Sequence, residues 1–127
     1  MRTLLIAFTL LLSSQSFAQT SLNYYENEKY REVKISEYQG AKIGADCIKS
    51  GKPSCQAWTA YTGKPATEST KPNTTLAGNP AAQYCWDLKA KNRILKEKDG
   101  KQYDYCVFED GSMIDSWTLY YKHFPKK

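Results

Sequence analysis

The chain has 127 residues, a formal net charge of +5, four cysteines, ten tyrosines and a single histidine. A chain of this length builds one small domain with a modest core, and one histidine without any CxxC pair cannot supply the closely spaced ligand sets of structural zinc. The basic surplus is mixed with Glu along the chain, so it forms no stripe of the kind that tracks a nucleic-acid backbone; it suits solubility, or an anionic polymer of the cell envelope.

Met1-Arg2-Thr3 is a short positive start, Leu4 to Leu12 is an almost unbroken apolar run, and Ser16-Phe17-Ala18 places small residues where a signal peptidase reads. These features predict a signal peptide over residues 1–18, cleaved between Ala18 and Gln19, and a periplasmic or secreted product. The apolar run is about half of the roughly 20 residues that a membrane-spanning helix needs. No cysteine lies at the cleavage site to carry a lipid, so no stable membrane anchor is expected in the mature chain. All four cysteines, Cys47, Cys55, Cys85 and Cys106, survive cleavage. An even number in a small exported chain reads as two disulfides, and the sequence leaves three pairings open.

Ser21 to Lys29 is polar with no clear period and stays unassigned. From Tyr30 to Lys49 the chain reads as a hairpin: Val33 and Ile35 alternate with charged neighbours, Gln39-Gly40 turns, and Ile43, Ala45 and Cys47 alternate on the return. Gly51 and Pro53 then break the strand, and Ser54 to Tyr61 reads as a short helix capped by Ser54. Residues 63–78, rich in Thr, Lys, Pro and Gly, read as a linker.

Asn79-Pro80 opens the clearest helix, with asparagine as N-cap and proline in the first turn. It is predicted to run to about Lys91, burying the stripe of Ala81, Tyr84, Cys85 and Leu88. Arg93 to Lys98 and Lys101 to Glu109 read as a hairpin around Asp99-Gly100, with Tyr103, Tyr105 and Val107 on one face and Cys106 and Phe108 on the other. Asp110-Gly111-Ser112 turns the chain, and Ser112 with Asp115 resembles a capping box opening a last helix that carries Ile114, Trp117, Leu119 and Tyr120.

Cys47, Trp58, Thr59 and Tyr61 recur at a constant offset of 59 as Cys106, Trp117, Thr118 and Tyr120. Matches among such scarce residues read as two degenerate units, a partial one over 19–62 and a complete one over 79–127. The predicted class is therefore α+β: a small disulfide-stapled domain of hairpins packed with short helices.

Asn79-Pro80-Ala81, Tyr84-Cys85, Cys106-Val107-Phe108, Asp110-Gly111-Ser112, then Trp117 and Tyr120 resemble the small bacterial domain of unknown function number 333, often labelled a haemolysin, over residues 79–121. The resemblance implies a small exported chain. Family members typically carry a further cysteine eight residues after the one matching Cys106 and another near the end, where this chain has Ile114 and approximately Phe124. Their joint absence implies that Cys85 and Cys106 are partners, and Cys55 follows Cys47 at the family's own spacing, which implies Cys47–Cys55.

No catalytic constellation, metal site or cofactor is expected. His123 has no nucleophile and orienting acid in any recognised arrangement and reads as an exposed residue beside the terminus. Asp110 and Asp115 read as turn and cap residues rather than an acid/base pair with Glu109. Ten tyrosines exceed what a core this small can hold, so Tyr24, Tyr25, Tyr30 and Tyr121, with Lys122, are the candidate binding surface. The predicted function is non-enzymatic binding of an envelope protein or glycan through an aromatic and basic surface, with no nucleic-acid partner. A haemolysin-like membrane-active factor is the alternative that the family label brings.

Overall fold

The computed structural model describes residues 18–66 and 78–126. The signal-peptide segment 1–17 and most of the expected linker, residues 67–77, lie outside the described residues.

The strands β1 (Gln19–Glu26), β2 (Lys29–Tyr38) and β3 (Ala41–Gly44) form an antiparallel meander. Both of its turns place two residues at positive φ, Asn27 and Glu28 at 52° and 64°, then Gln39 and Gly40 at 48° and 81°. This is the two-residue turn whose twist matches that of paired strands. A single 3₁₀ turn (Ala45–Cys47), a minute hairpin of β4 (Ile48–Lys49) and β5 (Lys52–Pro53), and the helix α1 (Gln56–Thr62) follow. The second half supplies α2 (Pro80–Asp87), a second meander of β6 (Lys91–Lys96), β7 (Gln102–Val107) and β8 (Met113–Asp115), and α3 (Ser116–His123).

The two meanders do not fold apart. They close one six-stranded antiparallel barrel in the order β1-β2-β3-β8-β7-β6, sealed by Tyr24 opposite Leu95 and by Ile43 opposite Ile114. Closure removes sheet edges, which a pair of separate hairpins would leave exposed. Leu22, Tyr24, Val33, Ile35, Leu95, Tyr105 and Met113 fill the barrel. On the outer face Ile43, Cys106 and Ile114 pack with Ala57, Tyr84, Cys85 and Leu119 from the helices. Tyr105 and Cys106 thus serve opposite cores, as their alternation requires. Gly44 lets β3 and β8 approach closely: a Cβ there would lie 3.1 Å from Met113 Cγ.

Several boundaries differ from the sequence reading. Ser21 to Lys29 contains most of β1, whose alternation of Leu22 and Tyr24 is obscured by polar neighbours and by a turn without glycine. The return strand ends at Gly44, so Ala45 and Cys47 lie in the 3₁₀ turn. Residues on either side of Gly51 pair within the loop closed by Cys47 and Cys55. Cys55 rather than Ser54 caps α1, its sulfur accepting from Trp58 N–H at 3.4 Å. α2 stops at Asp87 because the chain reverses at Lys89 (φ 63°), and the next strand begins at Lys91 instead of Arg93. Ile114 belongs to β8, and Asp115 alone caps α3 by accepting from Thr118 N–H at 2.9 Å.

The disulfides join Cys47 to Cys55 and Cys85 to Cys106. Cys47 lies in a 3₁₀ turn and bonds forward to the cap of α1, whereas Cys106 lies in a strand and bonds back to α2, so these matched residues are not structural equivalents.

Candidate functional site

The helices α1 and α3 meet along one flank of the barrel. α3 buries Ser116 and Leu119 completely, which fixes its orientation. The Ser116 hydroxyl donates to Asn92 Oδ1 at 2.6 Å, and the Asn92 amide donates to Asp104 at 2.9 Å, so burial leaves this polar group satisfied. His123 is half-buried, its Nε2 2.9 Å from the carbonyl of Ala60, and it ties the end of α3 to α1. That hydrogen bond and the Tyr84 ring beside it replace the expected exposed position near the terminus.

With those residues inward, α3 leaves its aromatic residues part-exposed. Trp117 stacks with Tyr121 at a centroid distance of 5.6 Å, and Tyr120 stacks with Phe124 at 5.1 Å. Across the α1 contact, Trp58 lies 5.2 Å from Tyr61 and meets Tyr38 edge-on at 5.3 Å. Two ammonium groups lie over these rings: Lys122 is 5.2 Å from the Tyr61 centroid and Lys126 is 4.8 Å from that of Tyr121. Rings with a flat apolar face, a polar rim and a neighbouring cation suit contact with sugar rings or protein side chains.

The candidate surface residues are divided by the fold. Tyr121 and Lys122 belong to this aromatic face. Tyr25 and Tyr30 form an exposed cross-strand pair on the β1–β2 hairpin, with centroids 4.9 Å apart. Tyr24 is a correction: it is only 4% exposed and fills the barrel, because it shares the inward row with Leu22. Trp58, Tyr61 and Trp117 join Tyr121 and Lys122 on the helical flank; their three- and four-residue spacing was the available signal, but core packing would produce the same spacing.

The motif residues mostly hold the fold. Asn79 accepts from Ala82 N–H at 3.0 Å, Pro80 occupies the first turn of α2 and Ala81 is buried. The Tyr84 hydroxyl accepts from Ala66 N–H at 3.1 Å, while its ring packs on Tyr120 and Phe124. Val107 and Phe108 lead to the turn, where Gly111 takes φ 82°. Asp110 and Ser112 do more than turn the chain. Asp110 Oδ2 accepts from Gln56 N–H at 2.8 Å, the Ser112 hydroxyl accepts from Ala57 N–H at 3.0 Å, and Gln56 Oε1 accepts from Asp110 N–H at 2.9 Å. The turn of the second half thereby caps the helix of the first, satisfying amides that have no partner within α1. Burial opposes ionisation of Asp110, but hydrogen bonds from Ser112 and the backbone of Gln56, with Lys49 nearby, outweigh it and hold the carboxyl below its ordinary range.

Residues 77–123 match the family described as a domain of unknown function, DUF333. The DUF333 segment begins just before α2 and runs through α3, taking in half of the barrel and the aromatic residues of α3. It does not reach β1, β2, β3 or α1, which complete the barrel from the other half. No curated protein and no solved structure matches the chain.

Proposed function

We propose that the protein is an exported, non-enzymatic module that binds an envelope protein or glycan through the aromatic and basic face on α1 and α3. The observation that carries this reading is the set of part-exposed rings, Trp58, Tyr61, Trp117 and Tyr121, with Lys122 and Lys126 over two of them. Export is supported by the apolar N-terminal run and by cysteines that are all engaged in disulfides. The residues with the greatest catalytic potential have structural partners: His123 with Ala60, Asp110 with Gln56 and Ser112, and Asp115 with Thr118. Among the described residues no helix is long and apolar enough to cross a membrane.

The test is retention of the mature, oxidised protein on purified envelope fractions. Trp117→Ala with Tyr121→Ala is expected to lower retention about tenfold, the scale of removing a pair of interface rings, while leaving the circular dichroism spectrum unchanged. Unchanged retention in that variant would remove the aromatic face from the function. Release of dye from liposomes by the same preparation would overturn the binding-module reading in favour of a membrane-active factor.

A further inference from the structure

The β6 row that faces the barrel interior runs Leu95, Arg93, Lys91, and its partners on β7 are Tyr103, Tyr105 and Val107. On β1 and β2 the inward pair Leu22–Val33 is followed by Tyr24–Arg31. At this end the rows that carry the core therefore finish in cations. Lysines and arginines that serve only solubility belong on outward rows, where water surrounds them.

Arg31 is held in place, its guanidinium 5.0 Å from the centroid of the buried Tyr24 ring and its Nε donating to Glu26 at 3.0 Å. The others have no such partner: among the described residues no carboxylate pairs with Lys89, Lys91 or Arg93. Arg93 is half-buried, and Nη1 donates to the carbonyl of Asn92 at 3.5 Å. Lys89 stands at positive φ just after α2, a position glycine would take without steric cost. The basin that these residues line has a volume of about 780 Å³, within the roughly 300–1,000 Å³ of small-ligand sites. Glu26 and Glu109 share its rim, but Glu26 is already engaged by Arg31.

We propose that this end of the barrel is a second binding site, which takes a sugar chain bearing carboxylate or phosphate groups. Arg93 offers a planar donor fork that matches either anion with two hydrogen bonds, while Lys91 and Arg31, the latter bonded to Glu26 through Nε, add positive charge beside it. The anion relieves like-charge repulsion among half-buried Arg93 and the exposed Lys89 and Lys91. Tyr25 and Phe108 on the same rim offer ring faces to the C–H face of a sugar. A concave basin admits a projecting chain rather than a flat lipid surface. The site uses none of the rings on α1 and α3 and stands independently of that face.

The test measures binding of the mature protein to oligogalacturonate, which carries carboxylates, to a phosphorylated mannan, and to neutral dextran. One or both anionic sugars are expected to bind, and which one does identifies the anion; dextran is expected to bind at least tenfold more weakly. Lys91→Gln with Arg93→Gln is expected to lower anionic-sugar affinity about tenfold or more, as loss of charge-assisted hydrogen bonds implies. Lys98→Gln with Lys101→Gln removes the same charge elsewhere and is expected to change it less than about twofold. Equal losses in the two variants, equal binding of dextran, or equal binding of a DNA oligonucleotide of matched charge would overturn the proposal. Amide shifts in the wild-type protein provide a measurement that does not depend on folding of the variants. Shifts centred on Arg31, Arg93 and Phe108 support the site, and shifts confined to α1 and α3 refute it.

Discussion

At one end of the barrel the inward rows finish at Tyr103, with Glu97 and Lys42 around it; at the other they finish in Arg31, Arg93 and Lys91. The first end is internally matched. The Tyr103 hydroxyl donates to Glu97 at 2.6 Å, and the ammonium groups of Lys42 and Lys101 each lie 5.9 Å from its ring, around a cavity of about 120 Å³. The second end sets Lys89, Lys91 and Arg93, none of them paired with a carboxylate among the described residues, beside the Arg31–Glu26 pair around a space several times larger. Charge that a fold satisfies internally holds structure, whereas unpaired charge lining a concavity marks a candidate site.

The largest way to disturb this contrast is to remove the Cys85–Cys106 bond, which anchors α2, and so the chain entering Lys89 and Lys91, to β7. Its sequence separation of 21 corresponds to about 3 kcal/mol of loop entropy. The separation of 8 at Cys47–Cys55 corresponds to about 2.5 kcal/mol. Cys85→Ala with Cys106→Ala is therefore expected to lower denaturation midpoints more than Cys47→Ala with Cys55→Ala. Hydrogen exchange should show Lys91 to Asn92 opening before Lys96 and Gln102. If both ends loosen together, the basic end has no special dependence on the staple.

Next in size is Asp110, beside the basic end through Gly111. Asp110→Ala leaves the Gln56 amide at the start of α1 without its carboxylate and is expected to cost about 1 kcal/mol, measured by urea unfolding. Because the folded-state pKa of Asp110 is lowered, its contribution is present above the ordinary carboxylate range and is lost as pH falls through the lowered value. The wild-type and Asp110→Asn stabilities should accordingly converge in acid; a constant gap would rule out ionisation as the source.

The smallest effect belongs to the matched end. The hydrogen bond to Glu97 is the main cause that raises the Tyr103 pKa above 10.0, with desolvation and the Glu97 charge adding to it. Any stability from this bond is present below the ordinary tyrosine pKa and is lost as pH rises through the raised value. Glu97→Gln should bring one tyrosinate transition in the ultraviolet titration to lower pH without changing anionic-sugar binding. A change in that binding would show that the two ends are not separate.

Residues with a strong local signature were legible in the sequence. Asn79-Pro80 marks its helix, Gln39-Gly40 its turn, and Tyr105 and Cys106 their opposite faces, because caps, turns and strand alternation act over a few residues. β1 was not legible, since Asn27-Glu28 makes a glycine-type turn without glycine. The early end of α2 was missed for the same reason at Lys89. The aromatic face is half legible: Tyr121 and Lys122 lie on it, Tyr24 fills the barrel, Tyr25 and Tyr30 pair on the β1–β2 hairpin, and Trp58, Tyr61 and Trp117 carry no signal in sequence that separates them from core residues. Tyrosine abundance counts rings but does not say which face of a strand carries them.

The sequence by itself determined the class of the fold, the helical caps and the match of residues 77–123 to DUF333, all of which rest on local composition and short spacing. Only the tertiary structure decided that six strands from both halves close one barrel, that Asp110 and Ser112 cap a helix more than fifty residues away, and that Arg31 meets Arg93 at one mouth. Those outcomes depend on long-range strand pairing. Register across a closing barrel is chosen by the summed burial of both cores, a quantity that no single stretch of the chain contains.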